Sequence, residues 1–173
     1  MTVKVLVAYA TKNWSTAEIA RTITEVLRKE GLEADMRLVR DVHELQAYDA
    51  VILGSPLYEG RWHKDARQFV KRKREALAKR PVWLFSSGPL DPSASEGNIP
   101  PVASVRRTLI RIHAKEHVTF GGCLTEDAQS WAARTVVKAG KGGDFRDFKQ
   151  ISAWAQRIGA TLRGEVVVQR EGS

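Results

Sequence analysis

Short continuous apolar runs alternate with helical stripes along this chain, and that alternation leaves few folds open. The runs are VKVLVAYA (Val3 to Ala10), EADMRLV (Glu33 to Val39), DAVILGS (Asp49 to Ser55), PVWLFSS (Pro81 to Ser87) and HVTFGGCL (His117 to Leu124). Runs without strict alternation are the mark of strands buried on both faces. Between them, apolar residues recur at helical spacing: Ile19, Ile23, Val26 and Leu27; Trp62, Ala66, Phe69, Val70 and Leu77; Val102, Val105, Leu109 and Ile112. A last stripe holds Phe145, Phe148, Ile151, Ala155, Ile158 and Leu162. The link RDVHELQAY is short and weakly periodic, enough for one helical turn. Strands interleaved with helices predict an α/β fold, a doubly wound five-stranded parallel sheet with helices on both faces. With 173 residues the chain is expected to form a single domain, 1–173. An extra segment at about 125–143 separates the fifth strand from the last helix. The closing GEVVVQREGS reads as an edge strand or a tail.

Other classes fall away on composition. No run reaches the ~20 apolar residues of a membrane-spanning helix. AYA, ending at Ala10, mimics a signal-peptidase site, but the apolar stretch before it is short and its basic flank is only Lys4, so a cytoplasmic location is expected. The single cysteine, Cys123, excludes an internal disulfide and a multi-cysteine zinc cage. His43, His63, His113 and His117 form no helical metal-binding pair, and no metal is expected.

A doubly wound sheet binds its ligand beyond the carboxyl ends of its strands. That directs attention to TKNWST, PLYEGRW and GPLDPSASEGNIPP, the loops after the first, third and fourth strands. TKNWST is rich in hydroxyls and opens a helix, where free N–H groups and the helix dipole favour an anion. It also reads as an ordinary N-terminus, with Ser15 capping and Glu18 closing the box STAE. Neither G-x-x-x-x-G-K-[ST] nor G-x-G-x-x-G is present, which disfavours nucleoside triphosphates and ordinary dinucleotides. In the second loop Tyr58 and Trp62 flank Gly60, offering flat apolar faces beside an approachable backbone; alternatively Trp62 opens the buried face of the next helix. The third loop brings hydroxyls, amides and a Gly-Pro turn. A phosphate site, two aromatics and a polar loop at one sheet edge suit a phosphorylated planar cofactor such as FMN.

On VLVAYATKNWSTAEIA, DAVILGSPLYEGRWHKDARQFV, FSSGPL and GKGGDFRDFKQISAWA, the chain resembles the flavodoxin superfamily, and within it flavodoxin-like proteins of the menaquinone-dependent protoporphyrinogen oxidase type. The resemblance implies strand order 2-1-3-4-5 and FMN as cofactor. It places the phosphate loop at Thr11, Lys12, Asn13, Trp14, Ser15 and Thr16. The loop flanking the isoalloxazine falls on Pro56, Leu57, Tyr58, Gly60, Arg61 and Trp62, and the ring's polar edge on Ser86, Ser87, Gly88, Pro89 and Leu90. Trp14 departs from the family's usual glycine, and either strains the turn or covers the cofactor. Cys123 and His63 lie near the expected site; each reads as structural or as a redox or proton-donating group.

The net charge of +8 favours an anionic partner. Lys64, Arg67, Lys71 and Arg74 recur at helical spacing, extended by Arg72, Lys73, Lys79 and Arg80, with Arg106, Arg107 and Arg111 as a second group. By resemblance, the quinone-linked oxidases are basic and work at the membrane, which implies peripheral contact with its anionic inner face. The leading expectation is an FMN-dependent oxidoreductase passing electrons from a reduced substrate, protoporphyrinogen among the candidates, to a quinone or similar acceptor. Its rivals are an electron-transfer protein docking acidic redox partners and a flavin-free binding module on the same fold.

Overall fold

The computed structural model describes residues 2–12, 15–89, 92–97, 99–124 and 143–171. Five strands form a parallel sheet: β1 (Lys4–Tyr9), β2 (Glu33–Leu38), β3 (Ala50–Tyr58), β5 (Val82–Ser87) and β6 (Glu116–Phe120). Their spatial order is β2-β1-β3-β5-β6, with β4 (Arg61–Trp62) pairing antiparallel to the end of β3. Counting the long strands alone, this is the expected order 2-1-3-4-5. The crossovers are α1 (Ser15–Lys29), α2 (Lys64–Ala78), and the short α3 (Ser93–Glu96) followed by α4 (Ala103–Arg111). A single 3-10 turn, Val39–Asp41, answers to the weakly periodic link. The closing helix is α5 (Phe148–Glu171).

Strand alternation divides the apolar side chains between two cores. Val5, Val7, Ile52, Trp83 and Phe85 meet Ile19, Ile23 and Leu27 of α1 and Ile151, Trp154 and Ile158 of α5. Leu6, Leu53 and Leu84 meet Phe69, Val70 and Leu77 of α2 and Val105 of α4. In the first core Trp154 stands edge-on to Phe120, with ring centroids 5.5 Å apart, and to Phe85 at 6.2 Å.

Three elements differ from expectation. The fifth strand stops at Phe120, because Cys123–Leu124 (β7) turns away to pair antiparallel with Gly143–Asp144 (β8). Trp62 does not open α2; it sits in β4, buried at 4% exposure. Residues 164–171 of that closing stretch continue α5 and form neither an edge strand nor a tail, the last two lying outside the described residues. Adding residues to an existing helix costs far less than nucleating new structure, and this outweighs the strand preference of Val166, Val167 and Val168. The extra segment lies outside the described residues apart from Gly143.

Candidate functional site

The three loops converge at the carboxyl end of the sheet. In the first, Ala10 N–H donates to the Gly54 carbonyl at 3.0 Å, fixing the chain as it leaves β1. Ser15 opens α1, a 15-residue helix whose N-terminal N–H groups face this end. Thr11 Oγ1 is buried and has no hydrogen-bond partner among the described residues. Lys12 is exposed, its ammonium 4.9 Å from the centroid of the Tyr58 ring. The Glu18 carboxylate accepts from Arg146 Nη1 at 2.8 Å, and Arg146 also clasps Asp144. That pairing pushes Asp144 below the usual carboxylate range.

The second loop is a hairpin rather than a helix entry. Leu57 pairs with Trp62 and Tyr58 with Arg61 across Glu59 and Gly60, both at positive φ (50° and 76°). Two left-handed residues make the primed turn whose twist suits antiparallel strands. The hairpin is braced from several directions. Ser104 Oγ donates to the Gly60 carbonyl at 2.8 Å, Arg67 Nε to the Trp62 carbonyl at 3.1 Å, and His63 N–H to Ser55 Oγ at 2.9 Å. His63 Nδ1 accepts from Asp65 N–H at 3.0 Å, so this residue caps α2. Tyr58 remains 40% exposed and presents an aromatic face beside Lys12.

In the third loop, adjacent serines tie the other two together. Ser87 Oγ lies 2.9 Å from Thr16 Oγ1, joining the end of β5 to the start of α1. Ser86 Oγ accepts from Trp62 Nε1 at 2.8 Å, joining β5 to the hairpin. All four side chains are buried. These links fix the third loop to the other two. Gly88 N–H donates to the Phe120 carbonyl and Gly122 N–H to the Pro89 carbonyl. Pro56 is buried, Leu57 half-buried against Gly88, and Arg61 exposed. Asn13, Trp14 and Leu90 fall outside the described residues.

Two further groups shape the site. Cys123, half-buried on β7, has its thiol pushed up by burial, which disfavours the nucleophilic thiolate. Buried His117 hydrogen-bonds Ser86 through Nε2 at 2.8 Å. Its importance was not recognised from the sequence; the signal was a polar residue at an inward position of the apolar run HVTF. Among the described residues no cluster of His, Cys, Asp or Glu is suited to a metal, and no helix is long and apolar enough to cross a membrane.

The residues fit FMN. A helix N-terminus and an orphaned buried hydroxyl, Thr11 Oγ1, suit a phosphate monoester, and the braced aromatic hairpin suits a flat ring. A groove of about 170 Å³ beside the loop is lined by Thr11, Lys12, Arg40 and Asp65 among others.

Comparison with known proteins places this architecture. Residues 6–143 match the family model described as Flavodoxin domain. The chain is 25% identical over 171 residues to "Protoporphyrinogen IX dehydrogenase [quinone]" of Escherichia coli (strain K12), covering 90% of this chain and 94% of that one. Among solved structures, oxidised Flavodoxin 2 from Bacillus cereus superposes with a TM-score of 0.61 at 24% identity, over 93% of this chain and 99% of that one. Rubredoxin oxygen:oxidoreductase from the anaerobe Desulfovibrio gigas gives a TM-score of 0.63 at 17% identity. There the match covers 94% of this chain but 37% of the larger protein, and it bears on the fold alone.

Proposed function

Because the chain belongs to the flavodoxin domain family, we propose that it is an FMN-dependent oxidoreductase carrying electrons from a reduced substrate of the protoporphyrinogen class to a quinone. The observation that carries the finer part is the end-to-end similarity, over 90% of this chain and 94% of the relative, to a protein named for that reaction.

Bound FMN supplies the redox chemistry, accepting and releasing electrons between the two substrates. The protein's own residues bind and orient. In this reading the α1 N-terminus and the Thr11 hydroxyl hold the phosphate, with Lys12 and Ser15 beside it. Tyr58 and the β3–β4 hairpin lie along the ring, and the loop of Ser86, Ser87, Gly88 and Pro89 meets its polar edge. The hydroxyl links Thr16–Ser87 and Trp62–Ser86 tie the ends of the three loops to one another.

The exposed cations of α2, Lys64, Arg67, Lys71 and Arg74, make a peripheral contact with an anionic membrane surface, where a quinone would be met. The same charge supports a second reading, an electron carrier docking acidic redox partners.

Turnover separates the two. Protein loaded with FMN and mixed anaerobically with protoporphyrinogen and a soluble menaquinone analogue should produce porphyrin fluorescence at a rate that depends on the quinone, with no other protein present. Absence of turnover, with electrons taken up only from a partner reductase, would favour the carrier.

A further inference from the structure

Three buried side chains form a continuous hydrogen-bonded chain from the cofactor-flanking hairpin to β6. Trp62 Nε1 donates to Ser86 Oγ at 2.8 Å, and Ser86 Oγ lies 2.8 Å from His117 Nε2. Exposure is 4% at Trp62, 0% at Ser86 and 9% at His117. His117 Nδ1 is buried with no partner among the described residues.

A serine hydroxyl has one proton to give. Here it already receives one from the indole. If His117 Nε2 carried a proton, Ser86 would receive a second, and both its own O–H and the Nδ1 lone pair would be left unpaired. If Nε2 is bare, Ser86 donates to it, and the one group left over is Nδ1–H. Unmade bonds in a buried site are costly, so the second arrangement prevails. We infer that His117 is a positioning residue: as the Nδ1–H tautomer it orients the Ser86 hydroxyl, which in turn holds the Trp62 indole and sets the hairpin along the cofactor ring. The link between hairpin and cofactor rests on the FMN reading above; the hydrogen-bond chain does not.

Two measurements test it. Long-range 15N correlation spectra of the labelled protein should show His117 Nδ1 protonated and Nε2 bare, and His117→Phe should shift the Trp62 indole proton. FMN titrations of H117F, W62F and the double variant should show roughly tenfold weakening for H117F, little further loss when H117F is added to W62F, and recovery of most affinity in H117Q, whose amide oxygen can accept from Ser86. Ser86→Ala, which adds no bulk, should reproduce H117F and guards against a variant that fails to fold. A protonated Nε2, an unmoved indole proton, unchanged affinity in H117F, or additive losses in the double variant would each overturn the inference. Should the unaltered protein bind no FMN, the proposed function fails, while the tautomer and the indole shift still decide the chain.

Discussion

Ser86 and Ser87 are neighbours in the sequence, yet their side chains leave opposite faces of β5, one toward Trp62 and His117, the other toward Thr16. Thr16 is therefore a poor probe of the phosphate site. A carboxylate there would be buried against Ser87, and any loss of FMN would confuse electrostatics with unfolding. Thr11 is the better probe, because its buried hydroxyl has no hydrogen-bond partner among the described residues. Thr11→Val should leave the stability of the FMN-free protein unchanged or slightly raised in urea unfolding, while weakening FMN by roughly tenfold to a hundredfold, the effect of one hydrogen bond to a charged group. Loss of stability without loss of affinity would remove Thr11 from the site. His117 gives a pH dependence with a definite sign. Burial lowers its pKa from 6.5 to about 4. The unfolded chain takes up a proton near pH 6.5 that the folded protein refuses until about pH 4, so the group's contribution is complete above pH 6.5 and is lost as pH falls toward 4, by up to about 3 kcal/mol. His117→Gln should flatten that limb of a stability-against-pH curve; an unaltered limb would contradict the burial argument. The aromatic and hydroxyl residues of the loops were legible in the sequence as types in the right loops. Their partners were not, since Ser86 and His117 are 31 residues apart and no spacing rule connects them.

At the scale of elements, the apolar runs gave the strands because burial on both faces requires an uninterrupted pattern, and the stripes gave the helices for the complementary reason. Boundaries failed where a tertiary contact intervenes. The run HVTFGGCL reads as one strand, but Gly121 packs so tightly that an added Cβ would stand 1.9 Å from the Phe145 carbonyl oxygen, and there the chain leaves the sheet for β7. Gly121→Ala must displace backbone rather than a side-chain tip. It should destabilise the protein by at least 1–3 kcal/mol, the cost of overpacking, in a chemical melt. A neutral result would show that β7 and β8 do not abut the sheet as described. Trp62 was misplaced for a related reason: PLYEGRW carries a turn signal at Glu59–Gly60, but a two-residue strand is too short to leave a period.

At the scale of the whole molecule, the surplus of eight positive charges is unevenly employed. Arg80 donates to the backbone carbonyls of Ala76, Leu45 and Tyr48, Lys73 to that of His43, and Arg67 to that of Trp62. These bind the structure together. Lys64, Lys71 and Arg74 are exposed, and replacing all three by Glu lowers the net charge from +8 to +2, since each exchange subtracts two. Sedimentation with anionic liposomes at low salt should fall sharply, because basic residues near such a surface contribute about 1 kcal/mol each, and FMN affinity should not change. Equal sedimentation of the two proteins would leave this face without a membrane role. The proposed redox function depends on one prior claim, that the first loop holds the phosphate of FMN. Fluorescence titration of the flavin-free protein with FMN and with riboflavin tests it most directly, the two ligands differing only in that phosphate. A first loop that holds the phosphate should give at least a hundredfold preference for FMN, roughly what 3 kcal/mol of helix-terminus and hydroxyl contacts provide; equal affinity for the two, or no binding of either, would show that it does not hold it.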